Sequence, residues 1–330
     1  MKRLLIFCTI ICCHSVFATT YYWIGGAAGN WSTASNWSNS SGGAAASFYP
    51  MQNDAIIFDN GQTVTVNYNL GLNAVGFANF SVINNTQLIL VNTLAANRSF
   101  YINSSGGPYF EVVQSGSSLT LKSNTNNYFT IGGDFSSGRM IFNGNLYCIN
   151  QDVNTTYGPS VDATDSVIIN NLFYIGPSNI TAVGSNPRGL GKFRFASKAV
   201  YQIDKNKGII LGGKWEQGSK IRVTGTTTDF PYTWLGNYVY GAIEFDTPNA
   251  SVVALTNLSI PTNAVFQGDF KITNLGNSAG IQFAYNPNFT INGDLIINAG
   301  TVKFSSGAGT SPNILIKGNY VQGLNTNVTF

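Results

Sequence analysis

Three copies of one short phrase in the last third of the chain decide the fold: Phe266-Gln-Gly268-Asp269-Phe270, Ile291-Asn-Gly293-Asp294-Leu295 and Ile316-Lys-Gly318-Asn319-Tyr320. Each copy has an apolar residue, a spacer, a glycine, an Asp or Asn, and a second apolar residue. The copies begin at positions 266, 291 and 316, so the phrase repeats every 25 residues. A constant period of about 20 to 30 residues is typical of a solenoid, in which each repeat forms one coil.

Looser copies of the phrase occur earlier in the chain, and we interpret them as corners of earlier coils: Ile131-Gly-Gly133-Asp134-Phe135, Phe142-Asn-Gly144-Asn145-Leu146, Ile168-Ile-Asn170-Asn171-Leu172 and Leu211-Gly-Gly213-Lys214-Trp215. Gly and Asn are expected at corners because they tolerate a positive φ. An array of β-sandwich domains would also give short strands with turn signals. The 25-residue spacing fits a coil better than a sandwich of about 100 residues, so we predict a β-solenoid.

The composition agrees with an all-β chain. Charged residues make up only 9% of the sequence, against about 25% in an average soluble domain. Hydrophobic residues make up 44%, which is enough to bury a core and too high for disorder. Frequent Asn, Thr and Gly favour short strands joined by tight turns, and stacked Asn and Thr ladders would need few charges.

Residues 1–18 have the pattern of a signal peptide. Lys2 and Arg3 precede an apolar run from Leu4 to Cys13, and Ala18 offers a small residue at the cleavage position. A lipoprotein signal is the alternative, because Cys12 and Cys13 follow the apolar run. The bulky residues just upstream of these cysteines favour the plain signal peptide, and with it secretion or display on the outer cell surface.

Removal of the signal peptide changes what chemistry is available. The only histidine, His14, leaves with it, and Cys148 is the one cysteine that stays. The remaining 15 basic residues (17 minus Lys2 and Arg3) and 14 acidic residues give a net charge of +1. Catalytic triads that need histidine are thereby excluded, as are an internal disulfide and a Cys/His metal site. No further long apolar segment follows, so we expect no transmembrane segment in the mature chain.

The segment from 19 to 50 differs from the rest and contains Trp23, Trp31 and Trp37. We interpret it as an aromatic cap on the first coil, since an open solenoid end must be covered. A sugar-stacking platform built from the three indole rings is the alternative. Residues 51–330 are expected to form the coils. The strand-like sequence continues to Phe330 without a closing cap, which predicts that the solenoid is incomplete at its C-terminus.

Several stretches of the capping segment point to a family: Tyr22-Trp23-Ile24-Gly25-Gly26, Gly29-Asn30-Trp31-Ser32, Asn36-Trp37-Ser38, Pro50 and Asn53-Asp54-Ala55-Ile56-Ile57-Phe58-Asp59. Together they resemble the opening module of large secreted repeat proteins of Bacteroidetes bacteria, and the repeated phrase is similar to theirs. The resemblance implies a right-handed parallel β-helix of the adhesin or haemagglutinin-like kind. It also implies export, often by type IX secretion through a C-terminal sorting domain. The sequence contains no such sorting domain, which agrees with an incomplete chain.

Nine basic residues and only two acidic residues (Asp204 and Glu216) lie between positions 188 and 222: Arg188, Lys192, Arg194, Lys198, Lys205, Lys207, Lys214, Lys220 and Arg222. Aromatic residues alternate with them, and a second aromatic group from Phe230 to Tyr240 interrupts the repeat rhythm as a projecting loop would. Our candidate ligand-binding residues are therefore Arg194, Lys198, Trp215, Tyr232 and Trp234. Acidic polysaccharide or extracellular DNA would suit this charge, although charges on strands are often only a solvated face.

Asp134, Asp269 and Asp294 occupy repeat corners, where stacked oxygens offer a possible calcium site, but the dense glycine-rich calcium repeat is missing. We expect no other cofactor and no catalytic residues. The sequence thus predicts a structural, adhesin-like protein of the cell surface that contacts glycans, other surface proteins or other cells, with no specific nucleic acid partner. A polysaccharide lyase or glycoside hydrolase built on a β-helix is the alternative, and it would need clustered acids or a basic catalytic residue on one face.

Overall fold

The computed structural model of the chain is a parallel β-solenoid, which confirms the all-β solenoid predicted from the repeat. The structure describes residues 18–71, 74–96, 98–102, 110–123, 129–133, 139–150, 160–161, 166–176, 193–206, 208–228, 233–234, 239–250, 256–276, 280–283, 287–304, 311–324 and 326–329. Within these ranges the only helical element is a 3₁₀ turn at Ala34–Asn36. None of the described residues belongs to a helix long and apolar enough to cross a membrane.

Each coil contributes strands to three faces, of which one is a single continuous sheet that we call the long sheet. The strands of the long sheet are Ala28–Asn30, Thr63–Tyr68, Gln87–Asn92, Ser118–Ser123, Asn145–Asn150, Leu172–Ile175, Val200–Ile203, Lys220–Val223, Ala242–Thr247, Phe270–Leu275, Leu295–Ile297 and Tyr320–Gln322. The strand that precedes each of these in the chain lies on the first face, and the next described strand lies on the third face in all but two cases. The exceptions are Ala28–Asn30 and Leu172–Ile175, after which the next described strands, Trp37–Ser38 and Phe193–Phe195, belong to the first face.

The first face is formed by Thr20–Trp23, Trp37–Ser38, Ala55–Phe58, Asn79–Val82, Phe110–Val113, Arg139–Phe142, Ser166–Ile169, Phe193–Phe195 and Lys214–Trp215, and it continues in Val239–Tyr240, Ala264–Phe266, Asn288–Ile291 and Asn313–Ile316. The third face consists of Ala74–Phe77, Arg98–Ile102, Phe129–Gly133, Ser160–Val161, Ile209–Ile210, Thr233–Trp234, Thr256–Leu258, Gly280–Phe283, Gly300–Lys303 and Thr326–Thr329.

Strands of successive coils pair in parallel and in register. On the long sheet Phe270 pairs with Leu295, and Leu295 pairs with Tyr320, so the 25-residue period is confirmed for these coils. The period is not constant along the chain, since Tyr201 pairs with Ile221 only 20 residues later. Coils differ in length because their turns differ, while the paired strand positions stay aligned.

Alternation along the strands creates the core, because every second side chain points into the coil. One inward row of the long sheet stacks ten residues that are each at most 3% exposed: Val64, Leu88, Leu119, Leu146, Phe173, Tyr201, Ile221, Ile243, Phe270 and Leu295. Burial of a side chain of this size stabilises the fold by about 1.5–3 kcal/mol. The stacked rows therefore hold the coils together without many charges.

The three tryptophans of the capping segment are buried, with at most 1% of each residue exposed. The ring centroid of Trp37 lies 5.1 Å from that of Trp23, 4.9 Å from that of Trp31 and 5.6 Å from that of Phe58 in the next coil. The indole N–H of Trp37 donates to the Trp31 carbonyl oxygen at 2.7 Å. These rings cover the start of the core and present no face to solvent, so the sugar-stacking interpretation is wrong.

The glycines of the 25-residue phrase serve close packing between coils rather than a positive φ. A Cβ atom on Gly293 would lie 2.3 Å from Asp269 Oδ1, and one on Gly318 would lie 2.3 Å from Asp294 Oδ1. Neither glycine has a positive φ, whereas Gly218, at a different corner, has φ +89°. The expectation that the phrase turns through positive φ is therefore wrong, because its glycine instead makes room for the carboxylate of the preceding coil.

Polar side chains form ladders along the corners. Asp269 Oδ1 accepts a hydrogen bond from the backbone N–H of Asp294 at 2.9 Å, and Asp294 Oδ1 accepts one from the backbone N–H of Asn319 at 2.7 Å. At the opposite end of the same first-face strands, the Asn288 amide donates to Asn263 Oδ1 at 2.9 Å. The predicted Asn ladders are confirmed, and the corner acids take part in the same stacking.

Three of the looser phrases differ in position from the 25-residue phrase, which lies at the corner between the first face and the long sheet. The phrase from 131 begins within the third-face strand Phe129–Gly133, and Asp134 and Phe135 lie outside the described residues. The phrase from 211 spans the corner between the third face and the first face. The phrase from 168 is shifted by one residue, because Phe142 pairs with Ile169 and not with Ile168.

One lysine of the basic stretch is part of the interior. Lys205 is 4% exposed at the corner where the chain leaves the long sheet, and burial lowers the pKa of its ammonium group from 10.5 to about 8. The charged form is destabilised because it has lost its hydration. Lys205 therefore lowers the stability of the fold at neutral pH.

We predict that Gly293→Ala lowers the free energy of unfolding by about 1–3 kcal/mol, because its methyl group would overlap the Asp269 carboxylate. Gly71→Ala is the matched control, since a Cβ at that position meets no atom within 4 Å and Gly71 has no positive φ. Urea unfolding of both variants measures the difference. Equal stabilities for the two variants would contradict the close-packing role.

Lys205→Met is expected to raise the free energy of unfolding at pH 7 by up to about 3 kcal/mol, the equivalent of the pKa shift. In the native chain, both folded and unfolded states are protonated below pH 8, so the penalty is constant there. Between pH 8 and 10.5 the unfolded state binds more protons, and stability therefore rises with pH.

Urea titrations of Lys205→Met from pH 6 to 10 measure this change, with Lys122→Met on the outer surface of the long sheet as control. The gain of the variant over the native chain should shrink as the pH rises above 8. A gain that does not depend on pH would mean that Lys205 is not destabilised by its charge.

Candidate functional site

One of the aromatic residues proposed as ligand contacts packs in the interior. Trp215 is 2% exposed, and its ring stacks on Phe195 with 3.8 Å between ring centroids. Its indole N–H donates to the Leu211 carbonyl oxygen at 3.3 Å. Side chains alternate along the strand, so Lys214 points outward and Trp215 points inward. The position of Trp215 therefore does not support a ligand contact.

Trp234 lies on the third face and not in a projecting loop. It is half-buried, pairs with Ile210 in the preceding coil, and its ring centroid lies 5.1 Å from that of the buried Tyr240. The aromatic run thus continues the coil stacking at these two positions. Tyr232, the remaining aromatic candidate, lies outside the described residues.

The basic residues that remain on the surface come together around one corner of two adjacent coils. Arg194 and Lys214 are exposed partners on neighbouring strands of the first face. Lys220 and Arg222 lie on the outward side of the long sheet in the coil of Lys214, with side chains 45% and 40% exposed. With Lys198 at the corner, these five residues form a surface that we call the basic band.

Stacked turns hold Lys198 between the two faces. The turn from 196 to 199 lies directly beneath the turn from 216 to 219, as shown by two backbone bonds of 2.9 Å, from Glu216 N–H to the Phe195 carbonyl and from Lys220 N–H to the Ala199 carbonyl. Lys198 is exposed in the first of these turns. The predicted pair Arg194 and Lys198 is therefore brought to one surface, together with cations from the next coil.

Carboxylates neutralise part of this charge. Arg194 Nε donates to Glu216 Oε1 at 2.7 Å, and this bond holds the pKa of Glu216 below its usual value. Glu244 lies among three cations, with Lys220 Nζ at 3.5 Å and Arg222 Nε at 3.7 Å.

The third cation is Lys271, whose Nζ lies 3.8 Å from Glu244, while Arg222 also pairs with Asp246 at 3.0 Å. Burial raises the pKa of Glu244, but the hydrogen bond from Thr273 and the three cations outweigh it and lower the pKa overall. The band and Lys271 carry six positive charges against four from Asp204, Glu216, Glu244 and Asp246, which leaves a net charge of +2.

A row of outward side chains on the long sheet leads into the basic band. Tyr147 pairs with Tyr174, Tyr174 with Gln202, and Gln202 with Arg222. The two tyrosine rings are half-buried, with centroids 5.6 Å apart and planes inclined at 58°. Tyr174 Oη donates to Asp204 Oδ2 at 2.5 Å, so that the aromatic pair and a carboxylate lie beside the cations.

The tyrosine pair could not be predicted from the sequence, because the strand that contains Tyr174 is shifted by one residue relative to the repeated phrase. Aligning the phrase at Ile168 with that at Phe142 places Tyr174 opposite Cys148, an inward position. The structure instead aligns Tyr174 with Tyr147 on the outside. A shift of one residue moves every side chain of a strand to the other side.

No described residues form a group of three or more His, Cys, Asp or Glu side chains that would hold a metal ion. Asp269 and Asp294, two of the suggested calcium ligands, each direct one oxygen to the backbone of the next coil. Stacking between coils is therefore a sufficient reason for their presence at the corner.

Comparison with other proteins adds no family to this description. No family model matches the chain, and neither the curated proteins nor the solved structures include a significant match. The basic band and the neighbouring tyrosine pair are thus the features on which a functional proposal rests.

Proposed function

We propose that the chain is a secreted or cell-surface structural repeat protein of the adhesin-like kind, which binds acidic polymers of its surroundings through the basic band and does not catalyse a reaction. The observation that carries this proposal is the gathering of five outward cations around one corner of two adjacent coils. The signal-peptide pattern of residues 1–18 supports the extracellular location.

The solenoid scaffold suits such a role. Parallel strands of successive coils lie about 4.8 Å apart, so side chains at one strand position form straight rows along the molecule. An extended polymer that lies along these rows meets regularly spaced groups on a rigid surface. The backbone that holds these cations is already ordered by the coil stacking, so binding orders only their side chains, which reduces the entropic cost of association.

Binding rather than catalysis is supported by the chemistry that the chain offers. The only histidine of the sequence lies in the predicted signal peptide. Glu244, whose side chain is only 13% exposed, is surrounded by cations that lower its pKa, which keeps it ionised and unsuited to act as an acid at neutral pH.

The double variant Arg194→Gln/Lys214→Gln is predicted to bind polygalacturonate about tenfold more weakly than the native protein at low salt, because two of the five cations that attract its carboxylates are lost. Binding of the native protein should weaken steeply as salt is added, and the variant should show a shallower dependence. Biolayer interferometry over a salt series measures both quantities.

The matched control is Lys303→Gln/Lys317→Gln, which removes the same charge from the C-terminal coils and should bind as the native protein does. Equal losses for the two double variants would show a non-specific charge effect and overturn the band as a site. Release of soluble uronate fragments during the assay would overturn the non-catalytic proposal in favour of a lyase or hydrolase.

A further inference from the structure

The outward row of Tyr147, Tyr174, Gln202 and Arg222 combines aromatic, amide and basic side chains, and attraction between charges alone would not require the first two kinds. Its members belong to four successive coils, and three strand spacings of about 4.8 Å place Tyr147 and Arg222 roughly 14 Å apart. Within that distance the surface changes from two aromatic rings, through an amide, to a guanidinium group. Resting on the proposed function, we infer that this row is a subsite for an acidic polysaccharide, with sugar rings on the tyrosines and a sugar carboxylate on Arg222.

The tyrosine rings are held in fixed orientations. Asn145 Nδ2 donates to Tyr147 Oη at 3.2 Å, and Tyr174 Oη donates to Asp204 Oδ2 at 2.5 Å. Burial and the bond to Asp204 raise the pKa of Tyr174, so its hydroxyl stays protonated at any physiological pH. Half-buried rings of fixed orientation lose little conformational entropy when the C–H groups of a sugar ring pack on them.

The polar groups next to the rings suit sugar hydroxyls and a sparse negative charge. Asp204 offers carboxylate oxygens that accept hydrogen bonds from hydroxyl groups, and Gln202 places a side-chain amide between Tyr174 and Arg222. Arg222 has a 40% exposed side chain, and beside its pairs with Asp246 and Glu244 its guanidinium group has further N–H donors to offer a sugar carboxylate. The row therefore suits a ligand that places hydroxyl groups beside the tyrosines and a negative charge beside Arg222.

The same groups argue for polysaccharide over nucleic acid. Tyrosine rings also stack on bases, but a nucleic acid carries a phosphate at every nucleotide. Asp204 beside the rings, and Glu244 and Asp246 beside Arg222, would repel so dense a row of phosphates. An acidic polysaccharide that spaces its carboxylates among neutral hydroxyls avoids this repulsion.

A tyrosine pair across neighbouring strands also stabilises a sheet, by about 0.2–1 kcal/mol, so the experiment has to separate binding from stability. Tyr147→Ala and Tyr174→Ala are compared with Tyr101→Ala, in which a half-buried tyrosine is removed from the third face between Gly76 and Gly132. Tyr174→Leu keeps an apolar side chain on the strand in case the alanine variant fails to fold. Urea unfolding checks the stability of each variant.

We expect the variants at Tyr147 and Tyr174 to bind hyaluronate, in which every second sugar carries a carboxylate, about tenfold more weakly, the scale of one stacked ring, while Tyr101→Ala binds as the native protein does. A neutral β-glucan should bind weakly with the same tyrosine dependence. Folded tyrosine variants with native affinity, or single-stranded DNA that binds as tightly as hyaluronate with the same tyrosine dependence, would overturn the subsite.

The double variant Arg194→Gln/Lys214→Gln distinguishes failure of the subsite from failure of the proposed function, because both residues lie on the first face and outside the row. Loss of binding in this variant together with native binding in the tyrosine variants overturns the subsite and leaves the basic band. Absence of binding by the native protein to every polymer tested overturns both.

Discussion

Parallel, in-register pairing between successive coils is the constraint on which the structure depends. It places like positions above one another, so that an apolar side chain in one coil meets an apolar side chain in the next. The corners follow the same rule, since Gly293 leaves space for Asp269 and Asp294 accepts from the backbone of Asn319. Core rows, polar ladders and close-packed corners all fail together if one coil slips by a residue.

The sequence predicted the solenoid because three phrases 25 residues apart have similar turns and therefore equal spacing. It did not predict register where turns differ in length, as between Tyr201 and Ile221, because no repeat period is preserved there. The register of the strand after Ile168 differs by one residue from that of the repeated phrase, so the pairing of Tyr147 with Tyr174 was not predicted. Trp215 was misplaced for the same reason, since the side of a strand on which a residue lies depends on register and not on residue type.

The register also explains how the candidate surface is assembled. Tyr147 and Arg222 are 75 residues apart in the chain but lie three strands apart in one row. Conversely, basic residues that are close in sequence separate, because Arg194 lies on the first face, Lys205 in the interior and Arg222 on the long sheet. The number of basic residues in a stretch of sequence therefore overstates the charge of the surface. The stacked coils also create a surface of aromatic, polar and basic side chains that this number does not reveal.

Electron–electron distances between spin labels test the coil stacking most directly. In a Cys148→Ala background, labels at Thr120 and Lys271 are six strand spacings apart in one outward row, and labels at Thr120 and Ile296 are seven apart. A parallel solenoid in this register predicts narrow distributions at about 29 Å and about 34 Å, so that 25 further residues add only about 5 Å. Broad distributions, or two distances that do not differ by one strand spacing, would contradict a parallel solenoid in this register.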